Sequence, residues 1–313
     1  MPSTTYILCP GQGAQAVGMG KDFYASAPAA REVFDTANRV LGFDLASLCF
    51  EGPDERLNQT DISQPAIYVT SVAAYRAAVA AGAIDPSADT AYAGLSLGEY
   101  TALHLAGVFG FEDGLKLVAA RGKYMQEAAT ATPSSMVALM GGDEAQVTAL
   151  CREQAQGEVL VPANFNAPGQ IVVSGSKAAC ERLALGASAA GFKAVPLVVA
   201  GAFHSPIMQS GADRMRAELE TVEFRPPTST VYSNVTAEPH TDAASIRGLL
   251  VDQIVKPVRW EQTMQKIAPV EGARFVELAP GRVLTGLLKK INRRLPVETL
   301  STAEALAGAG KSA

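Results

Sequence analysis

Cysteine, histidine and net positive charge are all scarce in this chain of 313 residues. The four cysteines lie far apart in the sequence and form no Cys-x-x-Cys pair, so neither a disulfide framework nor a metal site is expected. Buried, reduced thiols are the expectation instead, and they fit a cytoplasmic location. The formal net charge of -5 argues against broad nucleic-acid binding, which usually needs a basic face.

Long hydrophobic runs are also missing. The N-terminal residues show no basic segment followed by a long apolar stretch, so no secretion signal is predicted. The most apolar stretch, 67–84, is rich in alanine and is interrupted by Tyr75 and Arg76, so no membrane span is predicted. With 48% hydrophobic and 18% charged residues, the composition is that of a soluble globular protein with a sizeable core.

Predicted strands and helices alternate along most of the chain. TYILCPGQG indicates a short buried strand that runs into a glycine loop, and TAYAG indicates a strand followed by a helix that begins at the next serine. This alternation predicts an α/β fold with a parallel sheet. Within 131–199 the order changes to βαββαβ, which is a ferredoxin-like unit. We therefore predict a core formed by 1–130 and 200–313 and a small inserted subdomain formed by 131–199.

A serine bordered by glycines follows one of the predicted strands. Gly94-Leu95-Ser96-Leu97-Gly98 has the form Gly-x-Ser-x-Gly, with a predicted strand before it and a predicted helix after it. That context is the one a nucleophile elbow needs, because small neighbours permit the strained turn and the helix N-terminus favours an oxyanion. The alternative is an ordinary helix start with a solvated serine.

A serine nucleophile needs a base, and the chain has only three histidines. His104 lies about two turns along the helix that follows Ser96, so it is expected to point away from the turn. His240 lies in the polar turn sequence TAEPHTD and is expected to be exposed. His204, in GAFHSPIM between a predicted strand and a predicted helix, is the favoured base. The alternative is a histidine that caps the next helix.

No acidic residue is marked as the partner of this histidine. Asp143 and Glu181 both lie between Ser96 and His204 in sequence, but both fall in the predicted insertion and nothing singles out either. A backbone carbonyl can orient an imidazole equally well. The residues leave both arrangements open.

Six motifs, in their order and spacing, resemble those of the malonyl-CoA:acyl-carrier-protein transacylases of bacterial fatty-acid synthesis, which are related to polyketide-synthase acyltransferase domains. They are PGQGAQ, GLSLGEY, AARG, NFNAPGQIVVSG, GAFHSPIM and QIVKPVRW, and the resemblance spans about 6–300. It implies a hydrolase-like α/β core with a ferredoxin-like insertion. It also implies transfer of malonyl from malonyl-CoA to the phosphopantetheine thiol of acyl carrier protein through a malonyl-serine, by a monomer with no cofactor or metal.

The resemblance implies roles for individual residues. Ser96 falls on the family's nucleophile and His204 on its base. Gln12 and Leu97 fall on the two residues whose backbone N–H groups form the oxyanion hole. Arg121, in AARG, falls on the arginine that pairs with the free carboxylate of malonyl; without the family match, an exposed helix arginine would be the more ordinary expectation.

Further positions concern the substrate. The resemblance places Gln253, in QIVKPV, and Asn164, in NFNAPGQ, among the substrate-binding residues. In the family, a main-chain carbonyl near the QIVKPV segment orients the histidine. Phe203 precedes the histidine; in related domains phenylalanine here accompanies malonyl and serine accompanies methylmalonyl, since the ring crowds an α-methyl group. Leu95 departs from the family, which usually has histidine there; the chemistry is expected to survive, with a possible effect on rate or acyl selectivity.

Two other functions are compatible with the sequence, and one basic segment predicts a binding surface. A serine esterase or thioesterase on a related fold would share the elbow, and a non-catalytic acyl-binding subunit would explain Leu95 as a mark of decay. The run LLKKINRR predicts a local basic patch that could attract an acidic carrier protein, or else a solvated helix end. Its cations are Lys289, Lys290, Arg293 and Arg294.

Overall fold

Two β-sheets organise the chain in the computed structural model, which describes residues 4–309. The strands are, in chain order, β1 (Thr5–Cys9), β2 (Thr90–Gly94), β3 (Ser134–Met140), β4 (Leu160–Ala167), β5 (Gln170–Ser176), β6 (Lys193–Pro196), β7 (Thr230–Val231), β8 (Arg274–Leu278) and β9 (Val297–Leu300). The first sheet has the order β7-β2-β1-β8-β9 and is parallel throughout. The second has the order β4-β5-β3-β6 and is antiparallel.

Helices surround both sheets. In chain order they are α1 (Lys21–Ser26), α2 (Pro28–Leu41), α3 (Leu45–Glu51), α4 (Asp54–Leu57), α5 (Thr60–Ala80), α6 (Gly98–Leu105), α7 (Phe111–Ala131), α8 (Glu144–Ala155), α9 (Lys177–Gly186), α10 (Gln209–Glu220), α11 (Ala243–Val255), α12 (Trp260–Ile267), α13 (Val283–Ile291) and α14 (Ala303–Ala309). A short 3-10 turn, Pro206–Met208, precedes α10. None of the helices within 4–309 is both long enough and apolar enough to cross a bilayer.

The parallel sheet is covered on both faces. Successive side chains of a strand point to opposite faces, and in β1 they alternate between two separate hydrophobic clusters. Ile7 and Cys9 join the larger cluster, whereas Tyr6 and Leu8 join a smaller one that includes Trp260. Burial on both faces is typical of parallel sheets. β1 and β2 therefore lie at the centre of the fold, and the loops that follow them are held by rigid elements.

The antiparallel sheet belongs to a βαββαβ unit formed by β3, α8, β4, β5, α9 and β6. It has its own hydrophobic core, in which Leu139, Phe165 and Val173 pack against both helices of the unit. The predicted fold class, a parallel α/β core with an inserted ferredoxin-like subdomain, is therefore confirmed. The predicted limits of the two units, 1–130, 131–199 and 200–313, stay predictions.

The helix predicted to begin at the serine is shorter than expected. It begins at Gly98, because Ser96 has a left-handed φ of 52° that no helix residue adopts. Two strands are short for local reasons. β6 ends at Pro196, whose nitrogen has no hydrogen to donate to a sheet. β7 covers only Thr230–Val231, since the chain then turns back and Tyr232 pairs with Pro239.

Candidate active site

Ser96 lies in a sharp turn between β2 and α6. Its φ of 52° is a strained conformation for a residue with a side chain. The turn is tight enough that a Cβ on Gly94 would lie 2.0 Å from the backbone of Gly98, and one on Gly98 would lie 2.0 Å from the carbonyl oxygen of Cys9. Glycine is therefore required at both positions. The serine hydroxyl is presented beside the N-terminus of α6, as a nucleophile elbow does.

His204 is also held in a left-handed conformation, with φ 58°. The loop that carries it is fixed from the inserted subdomain. Ser174 of β5 donates through its hydroxyl to the carbonyl of Phe203 at 2.6 Å, and the N–H of Ala202 donates to the hydroxyl of Ser134 in β3 at 3.0 Å. The antiparallel sheet thus holds the imidazole over the elbow of the parallel core.

Ser96 and His204 are in hydrogen-bond contact, with 2.9 Å between Oγ and Nε2. The other ring nitrogen, Nδ1, lies 2.6 Å from the backbone carbonyl oxygen of Gln253. That carbonyl is available because the residue four positions on, which would donate to it in a continuing helix, is Pro257. Because a carbonyl only accepts, Nδ1 carries the proton and Nε2 is the acceptor. A main-chain oxygen therefore orients the imidazole, and neither Asp143 nor Glu181 hydrogen-bonds to it.

Arg121 fixes the direction of the serine–histidine bond. Its Nη2 donates to Oγ of Ser96 at 3.1 Å. A guanidinium only donates, so the hydroxyl accepts from Arg121 and its own hydrogen is directed to Nε2 of His204. A cation in contact with Oγ also stabilises negative charge on that oxygen. The three side chains thus form one connected unit with the polarity that a base-assisted nucleophile requires.

Arg121 is only 1% exposed, and neutral groups hold it. Nη1 donates to Oε1 of Gln64 at 2.6 Å and Nη2 donates to Oε1 of Gln253 at 2.9 Å, while the Nε–H has no partner. Gly122 lets α7 approach α5, since a Cβ there would lie 2.6 Å from the carbonyl oxygen of Thr60. Within residues 4–309 no carboxylate lies within ion-pair distance of this guanidinium. The site therefore contains a buried cation that lacks a bonded anion.

Burial changes the protonation of these groups. Burial, and after it the positive charge of Arg121, lower the pKa of His204, while the hydrogen bond to Gln253 opposes both effects, and together they bring that pKa to about 4. The imidazole is consequently neutral at pH 7 and able to accept a proton. Burial also lowers the pKa of Arg121, whereas Tyr100 and Glu99 raise it.

Two backbone N–H groups lie beside the elbow. That of Leu97 lies at the N-terminus of α6, and that of Gln12 follows the close approach of Gly11 to the turn, where a Cβ would lie 2.2 Å from the carbonyl oxygen of Leu95. Neither N–H has a hydrogen-bond partner in the part of the chain that the structure describes. The side chain of Gln12 points to Thr60, with Nε2 3.4 Å from its hydroxyl oxygen. The main chain at both positions is thus available to an oxyanion.

The remaining candidate residues lie around this centre. Phe203 is buried next to His204 and belongs to the large hydrophobic cluster. Asn164 lies in β4, where its backbone pairs with Val258, and its side chain makes no hydrogen bond within residues 4–309. Leu95 is half-buried and packs against the smaller hydrophobic cluster of the core. The structure thus brings Ser96 into direct contact with His204 and Arg121, whereas Asn164 makes no hydrogen bond to any of these three residues.

The expectation that His240 is exposed is wrong. It is buried, and its Nε2 lies 2.7 Å from Oε1 of Glu99 on α6. The polar residues around His240 form a turn that folds back onto the elbow, so the imidazole faces inward while its neighbours face solvent. The third histidine, His104, does not hydrogen-bond to Ser96: its Nδ1 lies 3.1 Å from the carbonyl oxygen of Phe109.

Three buried polar residues at the site were not found from the sequence. Gln64 binds Arg121 from α5, and Asn234 accepts the N–H of Ser96 on Oδ1 at 2.6 Å. Glu99 accepts from Gln253, from the backbone of Asn234 and from the histidine described above. The one available signal in the sequence was an acidic residue in the first turn of α6, directly after the second glycine of the elbow.

Known proteins that match this chain are acyl transferases. The family model described as acyl transferase domain matches residues 5–308. The malonyl CoA-acyl carrier protein transacylase of Salmonella typhimurium is 42% identical over 304 residues, covering 97% of each chain. That of Bacillus subtilis is 40% identical over 302 residues, covering 96% of this chain and 94% of the relative.

Solved structures agree with this. The malonyl CoA-acyl carrier protein transacylase of Coxiella burnetii superposes with a TM-score of 0.94 at 38% identity, covering 99% of this chain and 98% of the other. A malonyl-transacylase in complex with its type II PKS acyl-carrier protein superposes with a TM-score of 0.93 at 39% identity, covering 99% of this chain and 100% of the other. With the fold, the elbow and these matches in agreement, the chain belongs to the acyl transferase domain family and, within it, to the malonyl CoA-acyl carrier protein transacylases.

Proposed function

We propose that this protein moves a malonyl group from malonyl-CoA to the phosphopantetheine thiol of an acyl carrier protein, through a malonyl ester on Ser96. Nε2 of His204 takes the hydroxyl proton as Oγ attacks the thioester carbonyl. The carbonyl oxygen becomes an oxyanion that accepts from the N–H groups of Gln12 and Leu97. Each such donor typically contributes about 2.7–4 kcal/mol to lowering the barrier.

The intermediate collapses with transfer of a proton. The carbon–sulfur bond breaks, the sulfur of CoA leaves with the proton held by His204, and the malonyl ester stays on Ser96. The carrier thiol then attacks the ester carbonyl and gives its proton to the same imidazole. The new thioester forms as Oγ leaves and regains a proton from His204. Both half-reactions use one base, consistent with the single imidazole in contact with Oγ.

The observation that carries this proposal is the buried, unpaired charge of Arg121. A guanidinium binds a carboxylate through two parallel hydrogen bonds, and malonyl ends in a carboxylate. The amide oxygens of Gln64 and Gln253 hold the cation without neutralising it, so an acyl group that brings its own anion is favoured. An acetyl group would leave the buried guanidinium without a directly bonded anion, and sites that depend on a polar group discriminate strongly against ligands that lack it.

The test is transfer of label. Purified protein is mixed with radiolabelled malonyl-CoA and the holo form of an acyl carrier protein, with Ser96→Ala as the control. We expect the label on the carrier thiol, an intact-mass malonyl adduct when the carrier is omitted, and neither product with Ser96→Ala. Free malonate with no labelled carrier would instead indicate a thioesterase, and absence of any adduct on Ser96 would indicate a non-catalytic acyl-binding subunit.

The carrier is proposed to dock on the basic surface at the end of α13. Lys289, Lys290, Arg293 and Arg294 are all exposed there. α13 packs against β4, so this basic surface lies next to the junction of the core with the inserted subdomain. An acidic partner would be attracted to it over distances of about 10 Å at moderate salt. The site lies near the same junction, since β3 and β5 hold the loop of His204.

The setting of the reaction is part of the same proposal. We propose that the protein works in the cytoplasm as a monomer, without a cofactor or metal, and binds neither nucleic acid nor membranes. Its four cysteines are buried free thiols, which suits a reducing compartment. Sedimentation at micromolar concentration tests the monomer directly, and a concentration-dependent mass would contradict it.

A further inference from the structure

A buried carboxylate on α6 lies behind the site and touches neither Ser96 Oγ nor His204. Glu99 is fully buried, and its two oxygens receive three hydrogen bonds. Nε2 of Gln253 donates at 2.6 Å, the backbone N–H of Asn234 at 3.1 Å, and Nε2 of His240 lies at 2.7 Å. A carboxylate buried to this degree is costly unless hydrogen bonds replace its hydration, and here both oxygens accept; Nδ1 of His240 is the atom of this cluster that has no partner among the described residues.

We infer that Glu99, clamped by His240, is a positioning residue that fixes the side-chain amide of Gln253 and the backbone of Ser96, and so sets the geometry of both Arg121 and the nucleophile. This inference rests on the function proposed above and names a group that acts on the reaction through others.

The chemistry of the amide permits only one orientation. Nε2 of Gln253 faces two acceptors, the carboxylate of Glu99 and the carbonyl oxygen of Ser96 at 3.0 Å, while Oε1 faces Nη2 of Arg121 at 2.9 Å. A flipped amide would place its oxygen against those two acceptors and its NH₂ against a guanidinium that can only donate. Because Oε2 of Glu99 also accepts the backbone N–H of Asn234, it faces Gln253 as an acceptor and excludes the flipped form.

The same carboxylate secures both peptide groups of the strained serine. The carbonyl of Ser96 accepts from Gln253, and its N–H donates to Oδ1 of Asn234 at 2.6 Å. Both of these partners bond to Glu99 in turn. A left-handed serine persists only where its surroundings fix it from several sides. His240 completes the cluster, because the turn that carries it also carries Asn234.

The experiment compares four proteins: the wild type, Glu99→Ala, Glu99→Gln, and Thr101→Ala as matched control. Thr101 lies on the same helix, is equally buried and has a hydroxyl without a partner, so its loss leaves a void in α6 without touching the cluster. The measurements are the rate of malonyl-adduct formation on Ser96 and the ratio of malonyl to acetyl transfer. The ratio matters because a merely destabilised fold would not change it.

Glu99→Ala removes the acceptor of three donors, and we expect the adduct rate to fall about 30-fold or more and the malonyl-to-acetyl ratio to fall about tenfold. Glu99→Gln keeps the volume and one accepting oxygen but loses the charge, so we expect a smaller loss, of about tenfold in rate. Thr101→Ala should keep the wild-type ratio. A Glu99→Gln variant with wild-type rate and ratio would overturn the inference, whether or not Glu99→Ala folds.

A double-mutant cycle separates action through Gln253 from action elsewhere. Glu99→Gln is measured in the wild-type and in the Gln253→Ala background. We expect most of its effect on the ratio to vanish when Gln253 is absent; the same fold-loss in both backgrounds would overturn the inference. A wild-type protein that forms no malonyl adduct would refute the proposed function and this inference with it, whereas normal wild-type rates with unaffected Glu99 variants would refute the inference alone.

Discussion

Replacing Arg121 with alanine removes the cation on which malonyl recognition is proposed to depend. In the wild type this side chain is 1% exposed and donates to Gln64, Gln253 and Ser96. Alanine leaves Ser96 and His204 in place, so attack on a thioester remains possible. Two things are lost: the hydrogen bond to Oγ of Ser96, which affects every acyl group alike, and the counterion for the acyl carboxylate, which affects malonyl alone. The second loss should therefore appear in the choice of acyl group.

The size of the effect follows from two hydrogen bonds. Each charge-assisted hydrogen bond in a buried site is worth about 1.5–3 kcal/mol, so a bidentate pair contributes about 3–6 kcal/mol. That range corresponds to about 10²–10⁴ in the ratio of kcat/KM for malonyl-CoA over acetyl-CoA. Alanine also leaves the amide oxygens of Gln64 and Gln253 without this donor, which costs about 1–3 kcal/mol of stability for each.

The assay is transfer of labelled malonyl and labelled acetyl by the same preparations, with thermal unfolding recorded for each protein. Arg247→Ala serves as the matched control, because Arg247 is a half-buried arginine that donates to the carbonyls of Leu219 and Val222 outside the site. It is expected to lose stability while keeping the acyl preference. A malonyl-to-acetyl ratio that is unchanged in a folded Arg121→Ala protein would refute the carboxylate role.

Three further predictions concern the base, the acyl pocket and the carrier. Because burial and Arg121 lower the pKa of His204 to about 4, adduct formation should stay high down to pH 5 and fall as the pH drops through about 4; an acid limb centred near 6.5 would contradict this. The same shift makes the folded state lose stability as the pH falls from 6.5 towards 4, since the unfolded chain binds that proton more tightly. Phe203→Ser removes a buried ring and should raise methylmalonyl transfer relative to malonyl by about tenfold or more, as measured by competition; an unchanged ratio would refute the steric argument. Lys289→Glu should raise the KM for the carrier several-fold at low salt with little effect on adduct formation, whereas the exposed Lys116→Glu on α7 should leave both unchanged; equal effects of the two would argue against docking at α13.

The contact between Ser96 and His204 could be predicted because the relevant constraints are local. The glycines on either side of Ser96 report a turn that no other residue fits, and the strand and helix that flank it can be recognised from their own residues. His204 follows from the small number of histidines and from its place before a helix. Even the carbonyl that orients it has a local cause, since Pro257 has no N–H to occupy the oxygen of Gln253.

The polar cluster behind the elbow could not be predicted, because its contacts join residues far apart in sequence. His240 and Glu99 are separated by 141 positions, and Arg121 and Gln64 by 57. A polar turn is exposed on average, and nothing in TAEPHTD tells which of its side chains faces inward. The burial of His240 is set by a carboxylate on a different element, and the folded topology alone brings the two together.

The departure at Leu95 can be understood from which atoms of that residue the elbow uses. Its N–H donates to the carbonyl of Cys9 at 3.1 Å and its own carbonyl accepts from the N–H of Gly98 at 3.0 Å, so the turn depends on the main chain. The side chain packs with the apolar cluster on one face of the sheet. The hydrogen bonds of Ser96 instead join it to Asn234, Gln253, Arg121, the imidazole of His204 and the backbone N–H of Glu99. A leucine at this position therefore leaves the hydrogen bonds of Ser96 and His204 unchanged, and its effect on rate or acyl selectivity stays a prediction.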